Sequence, residues 1–135
     1  MKLENNWQSK SLFNLYKMTD FRPSENPASR LVQRCEELLS IPLNQYSIED
    51  LRLMIGQSFC LEYLIPLAIE KLKDDLFAEG DFYPGDLLKN VLNTDPDFWK
   101  QNQNFYREVN NLISGREDAI FAEGIKVDVF KNAIQ

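Results

Sequence analysis

Apolar residues recur at helical spacing along most of this chain, and that spacing limits its fold more than any other feature. The segment from Phe59 to Leu72 is apolar on more than one face, so we expect it to form the central helix. Leucine provides 18 of the 135 residues, whereas valine and threonine, which favour strands, together provide only 7. No stretch alternates apolar and polar residues as a half-buried strand does. The sequence therefore predicts an all-α fold, a single compact domain of about seven helices over residues 1–135.

Capping residues and prolines divide the chain into these helices. Ser9 or Ser11 is predicted to cap a first short helix, and Asn26-Pro27 to supply the N-cap and first residue of a second. A further helix is predicted to follow Ser47, which resembles the first residue of a capping box. Pro66 is expected to kink the central helix, unless the helix restarts there.

The last third of the chain carries a similar start signal. Asp95-Pro96 is predicted to be the N-cap and first residue of the longest helix, which continues to Ile113 and stops at Gly115. The tail that follows is predicted to give one or two short helices, with Phe121 and Phe130 packed on the body of the protein.

The side chains most often used in catalysis and metal binding are scarce. The chain has no histidine, which excludes a Ser-His-Asp triad, a Cys-His pair and an imidazole metal ligand. Cys35 and Cys60 are too few for a structural zinc site or a disulfide framework. No run of about 18 apolar residues is present, and the start lacks the apolar region of a signal peptide. We expect a soluble, cytoplasmic protein that is not an enzyme and has no metal or cofactor.

The negative charge of the chain is concentrated in one stretch. Lys and Arg number 15 and Asp and Glu number 21, for a net charge of −6. The residues up to Lys73 balance 9 acids with 9 bases, and those from Phe98 onward balance 5 with 5. The stretch from Asp74 to Asp97, called the acidic segment below, has 7 acids and one base, and so carries the whole excess. Such a patch repels nucleic acids and anionic membranes, and it predicts a basic partner.

Two phrases in the sequence resemble a known family. The first runs from Ile48 to Gln57 and continues from Leu61 to Glu70. The second is Glu-Gly-Asp-Phe-Tyr-Pro-Gly-Asp-Leu-Leu, from Glu79 to Leu88, followed by Phe98-Trp99. Together they resemble the α-helical immunity proteins of bacterial contact-dependent growth inhibition (CDI) systems, over about residues 47–99.

The chain departs from that family pattern at three places. The family has a glycine where this chain has Cys60, an Asn-Pro pair where it has Asp74-Asp75, and Tyr-Tyr-Pro where it has Phe82-Tyr83-Pro84. The added aspartates lie in the acidic segment, so they bear on the choice of partner.

The resemblance implies a protein that acts by binding. An immunity protein of this kind blocks the C-terminal toxin domain of a large effector delivered by neighbouring cells. Many such toxins are nucleases, whose phosphate-binding surfaces are rich in Lys and Arg, and an acidic inhibitor can cover that surface. The expected partner is a basic toxin domain, most simply a ribonuclease, bound in a stoichiometric complex over its active site.

Two groups of residues in the acidic segment have different predicted roles. Asp86, Asp95 and Asp97 stand at predicted helix N-termini, where a carboxylate stabilises the helix. A motif shared by inhibitors of different toxins is expected to build the fold rather than contact the toxin. The motif residues predicted to be structural are Gly80, Tyr83, Pro84, Gly85 and Asp86. The carboxylates that no helix start explains are the predicted toxin contacts, namely Asp74, Asp75, Glu79 and Asp81.

Two other functions fit parts of the sequence. A helical adaptor that binds some other basic protein would share the composition and the acidic segment. A metal-dependent hydrolase would have to rely on carboxylates alone, with Asp81 and Asp86 as the candidates.

Overall fold

Helices make up most of the part of the chain that the structure, a computed structural model, describes, which is residues 6–18 and 24–134. Within those residues there are nine α-helices, two short 3-10 turns and no β-strand, which confirms the all-α prediction. The chain divides into two compact units, residues 1–47 and residues 48–135. The interpretation of residues 1–135 as one domain stays a prediction.

The first unit contains α1 (Leu12–Leu15) and α2 (Arg30–Leu38). Ser11 caps α1, as predicted, because its hydroxyl accepts the backbone N–H of Asn14 at 3.1 Å. The prediction that Asn26-Pro27 begins α2 was wrong, since Ser29 is the N-cap and accepts the N–H of Val32 at 3.2 Å. Asn26 and Ser29 both carry a side-chain oxygen that can cap a helix, and local spacing alone does not decide between them.

Buried side chains of α1, α2, the following 3-10 turn (Leu43–Gln45) and the C-cap of that turn form the core of the first unit. They are Leu12, Cys35, Leu38, Leu43 and Tyr46. The hydroxyl of Tyr46 donates to the carbonyl oxygen of Leu38 at 2.8 Å, which satisfies an acceptor at the end of α2. Burial raises the pKa of the Cys35 thiol, so this cysteine behaves as a small apolar residue.

Seven helices make up the second unit. They are α3 (Ile48–Gly56), α4 (Leu61–Asp74), α5 (Asp86–Leu92), α6 (Pro96–Gln101), α7 (Gln103–Ile113), α8 (Glu117–Ala122) and α9 (Asp128–Lys131). Helix α4 packs against α3, α5 and α7, as expected for the central apolar helix. It runs through Pro66 without ending, so the alternative in which the helix restarts at that proline was wrong.

The predicted long helix after Asp95-Pro96 is two helices in the structure. Asp95 caps α6 by accepting the N–H of Asp97 at 2.8 Å, which confirms the predicted start. The chain leaves helical geometry at Asn102, whose side-chain amide donates to the carbonyl of Phe98 at 2.9 Å. An asparagine that bonds nearby backbone in this way competes with the helix, and α4 is therefore the longest helix described.

An aromatic cluster joins α6 and α7 to the tail. Trp99 is fully buried and meets Phe98, Tyr106 and Phe130 edge-on at ring-centroid distances of 5.3, 6.1 and 5.3 Å. Phe130 is buried, as predicted, but Phe121 is 76% exposed, so its predicted packing on the body was wrong. Ile120 takes the buried position of α8 instead, because a one-residue shift turns a helical side chain by about 100°.

Cys60 stands at the start of α4, and the backbone there has a positive φ. It is the N-cap of α4 with φ +52° and ψ +41°, a conformation that a Cβ makes unfavourable and glycine adopts freely. We expect the Cys60→Gly variant to be more stable than the Cys60→Ala variant. The difference in their free energies of unfolding should be about 0.5–1 kcal/mol, as measured by urea denaturation. The ranking should reverse at Cys35, inside α2, where glycine is worse than alanine by about 1 kcal/mol. Alanine ranking above glycine at both positions would contradict the strain at Cys60.

Candidate functional site

The loop between α4 and α5, residues 75–85, is organised around the buried carboxylate of Asp86. This side chain is only 2% exposed. Its Oδ1 accepts the backbone N–H of Gly80 at 2.7 Å, and its Oδ2 accepts that of Phe82 at 3.1 Å. Asp86 lies in the first turn of α5, but these hydrogen bonds go to the preceding loop rather than to its own helix. The carboxylate therefore fixes the loop to the start of α5.

A second carboxylate, that of Glu49 on α3, holds the same loop from another side. Glu49 Oε1 accepts the backbone N–H of Asp81 at 2.8 Å. The two carboxylate oxygens also accept hydrogen bonds from Nε and Nη2 of Arg52, at 2.7 and 2.6 Å, which makes a bidentate ion pair. Arg52 Nε lies 3.9 Å from Asp86 Oδ2, so the guanidinium connects the two acids. Hydrogen bonding to Arg52 lowers the pKa of Glu49, and the same bond raises the pKa of Arg52.

Two glycines permit this arrangement for different reasons. A Cβ on Gly80 would lie 2.6 Å from Glu49 Oε1 and 3.1 Å from Asp86 Oδ2, so a larger residue there would displace carboxylates that are held by hydrogen bonds. Gly85 has φ +89°, and a Cβ there would lie 2.7 Å from Cδ1 of Ile125. Glycine at these two positions therefore lets the loop pass close to its neighbours and turn at Gly85 without displacing them.

The other motif residues lie at the edges of the loop. Glu79 and Pro84 form an antiparallel bridge that closes it. Tyr83 is half-buried, with its ring centroid 5.8 Å from Nζ of Lys89. Pro84 is exposed. Among Tyr83, Pro84 and Asp86, only Asp86 has a deeply buried side chain.

The four predicted toxin contacts are all exposed. Asp74 is the last residue of α4 and Asp75 is its C-cap, while Glu79 and Asp81 lie on the loop. Asp75 Oδ1 accepts the backbone N–H of Phe77 at 3.0 Å, but its side chain is still at the surface. The structure thus divides the acidic segment into one inward carboxylate, Asp86, and carboxylates that reach solvent.

Sequence reasoning missed the residues of α3 and α5 that build the site. Glu49 and Arg52 are members of the first family phrase, at a spacing of three residues that suits an ion pair on a helix. Asn90 on α5 donates from Nδ2 to the carbonyl of Arg52 at 2.8 Å, which ties α5 to α3. The spacing of Glu49 and Arg52 was the available signal, but nothing local linked them to a loop 32 residues away.

Sequence reasoning also missed Phe82 as an exposed aromatic. Its side chain is 66% exposed, and its ring centroid lies 4.4 Å from the guanidinium carbon of Arg52. The loop therefore presents an aromatic ring to solvent, while the carboxylate of Asp86 points inward.

The carboxylate-only metal site finds little support in these contacts. Both oxygens of Asp86 accept backbone hydrogen bonds within the loop, and the side chain of Asp81 is exposed. Across residues 6–18 and 24–134, no group of three or more Asp, Glu, Cys or His side chains is placed to hold a metal ion. In the same described residues no helix is both long and apolar enough to cross a membrane.

Comparison with protein-family models gives the family. The model for CDI immunity proteins matches residues 15–109 of the chain. This chain belongs to the CDI immunity proteins. It is therefore a toxin-neutralising immunity protein that binds a cognate CDI toxin. No curated protein matches the chain.

The family match covers the site and defines what lies outside it. Residues 15–109 include α3, the whole acidic segment and the loop at residues 75–85. Helices α8 and α9 of this immunity protein lie beyond the match. The carboxylates of Asp86 and Glu49 and the glycines of the loop thus lie within the matched region.

The lowered pKa of Glu49 makes the stability of the immunity protein depend on pH. A carboxylate with a depressed folded-state pKa stabilises the fold above its unfolded-state value, about 4.3, and loses that contribution as the pH falls through the folded-state value. We expect Glu49→Gln to lower the free energy of unfolding by about 1 kcal/mol at pH 7. The free energies of unfolding of wild type and Glu49→Gln, measured by urea denaturation, should become equal as the pH falls below about 4.

A double variant controls for the source of that effect. Because Arg52 is the main cause of the lowered pKa of Glu49, adding Glu49→Gln to Arg52→Met should have a smaller effect than Glu49→Gln alone. A difference between wild type and Glu49→Gln that is constant from pH 7 to pH 3 would contradict this prediction.

Proposed function

We propose that this immunity protein neutralises a basic nuclease toxin, a ribonuclease. It forms a stoichiometric complex in which its acidic segment covers the active site of the toxin. The observation that supports this proposal is the location of charge: the net −6 of the chain lies entirely between Asp74 and Asp97. The complex would form in the cytoplasm of the producing cell, where such a toxin would otherwise meet its substrate.

The chemistry of nucleases explains why charge would be placed in one segment. A ribonuclease binds phosphates through Lys and Arg, so its active-site cleft has a positive potential. The predicted contacts Asp74, Asp75, Glu79 and Asp81 present carboxylates that pair with such side chains. Covering the cleft with these acids excludes the RNA backbone by both charge and volume.

The fixed conformation of the loop supports the same proposal. Glu79 and Asp81 lie on a turn fixed by hydrogen bonds to Asp86 and Glu49, so little conformational entropy is lost when they bind. A rigid acidic surface of this kind favours a high association rate and a long-lived complex.

The test uses the gene directly upstream, which in a CDI locus encodes the toxin. Its C-terminal domain is expressed alone and together with the immunity protein, and cell growth, co-purification and RNA cleavage are measured. We expect growth arrest and RNA cleavage by the toxin domain alone, and suppression of both at one equivalent of the immunity protein. A toxic domain that the immunity protein neither binds nor blocks would refute the proposal. A neutralised toxin without nuclease activity would refute only the ribonuclease assignment.

A further inference from the structure

One exposed aromatic side chain lies within the predicted contact surface. Phe82 is 66% exposed and follows Asp81 directly in the loop. Among the described large apolar residues, Phe121 on α8 is more exposed, at 76%, but it lies outside the family match. Single exposed apolar side chains are common on protein surfaces, and Phe82 differs from the others in lying on the same loop as exposed carboxylates of the predicted contact surface.

The ring of Phe82 is held in position rather than left free. Its backbone N–H donates to Asp86, and its ring lies against the guanidinium of Arg52, 4.4 Å from centroid to carbon. Arg52 is itself fixed by the bidentate pair with Glu49. A side chain fixed before binding loses little rotamer entropy in a complex, which is a property of residues that dominate binding energy.

The charges near the ring select its partner. Glu79 and Asp81 are exposed on the same loop, whereas the charge of Arg52 is already neutralised by Glu49. The face of an aromatic ring attracts cations, and neighbouring carboxylates strengthen that preference. The surface is therefore suited to an arginine or lysine side chain rather than to an apolar one.

We propose that Phe82 is the central anchor of the toxin interface and takes an arginine or lysine side chain of the toxin against its ring. The carboxylates of Glu79 and Asp81 pair with the same basic surface around it. This proposal rests on the proposed function, because it requires a basic toxin as partner. It adds a binding role for a side chain that none of the four predicted contacts includes.

The experiment compares two exposed phenylalanines in the full-length immunity protein. Phe82→Ala and Phe121→Ala are titrated against the purified C-terminal toxin domain by calorimetry and biolayer interferometry. We expect Phe82→Ala to weaken binding at least tenfold, mainly through faster dissociation. Phe121→Ala should stay within twofold of wild type. Circular dichroism and thermal melting of each variant check that the fold is retained.

Further variants separate a cation site from an apolar contact and protect the test against misfolding. Phe82→Trp should keep the affinity, and Phe82→Leu should lose most of it, because leucine has no π face. A photoreactive benzoylphenylalanine at position 82, but not at position 121, should crosslink to the toxin.

Four results would overturn the proposal that Phe82 anchors the interface. Wild-type affinity in Phe82→Ala would do so while leaving the proposed function intact. Equal losses in Phe82→Ala and Phe121→Ala, or full affinity in Phe82→Leu, would also exclude an aromatic cation site. Failure of the wild-type protein to bind the toxin domain would refute the proposed function and this inference with it.

Discussion

Replacing Asp86 with alanine is expected to lower the free energy of unfolding by about 3 kcal/mol. The substitution leaves the N–H groups of Gly80 and Phe82 without their acceptor and removes the inner acid beside Arg52. A hydrogen bond to a charged group contributes about 1.5–3 kcal/mol, so the two bonds to the Asp86 carboxylate account for most of the loss. Urea denaturation of the purified protein measures it.

A second aspartate of the acidic segment provides the control for Asp86. Asp95 is exposed and caps α6 with one hydrogen bond, so Asp95→Ala should cost only about 1 kcal/mol. If the two variants were destabilised equally, Asp86 would be acting as an ordinary helix-start residue. Equal losses of stability in Asp86→Ala and Asp95→Ala would therefore contradict the role of Asp86 in fixing the loop.

Neutralising the four predicted toxin contacts of the acidic segment is expected to slow association with the toxin by about tenfold or more at low ionic strength. The variant combines Asp74→Asn, Asp75→Asn, Glu79→Gln and Asp81→Asn, and its net charge is −2 instead of −6. These side chains are exposed, so the fold should be retained. Stopped-flow association at increasing salt measures the effect, and the rate of the variant should depend less on salt than that of wild type.

A matched variant separates the location of charge from its total. Four other exposed carboxylates can be neutralised to give the same net charge of −2, namely those of Glu25, Glu37, Glu70 and Glu123. We expect this control to associate faster than the acidic-segment variant. Equal rates for the two variants would show that only total charge matters. An association rate of wild type that does not change with salt would exclude steering altogether.

The helices that local sequence predicted correctly share one property. The starts at Ser11 and Asp95-Pro96 depend on a side-chain acceptor and residues within one turn of it, so a short window contains the whole cause. The central apolar helix follows in the same way from spacing along one helix, although it begins at Leu61 and leaves Phe59 47% exposed. Helix α4 continues through Pro66, so only the alternative of a restart was wrong, and the kink at that proline stays a prediction.

The wrong predictions involve choices that a short window leaves open. Ser29 and Asn26 are both competent caps, and Asn102 can either continue a helix or bond backward to Phe98. On α8, Ile120 and Phe121 are both apolar, and only the neighbouring helices decide which one is buried. In each case the energies of the alternatives differ by little until tertiary contacts are made.

The sequence by itself determined the all-α fold, the absence of histidine chemistry and the concentration of negative charge between Asp74 and Asp97. Only the tertiary structure decided which carboxylates of that stretch turn inward and which reach solvent. Asp86 is buried because the N–H groups of the loop and the guanidinium of Arg52 surround it, and Asp81 is exposed because its backbone, not its side chain, meets Glu49. Those partners lie up to 34 residues apart, between Arg52 and Asp86. Local periodicity therefore contains no information about them, and folding alone brings them together.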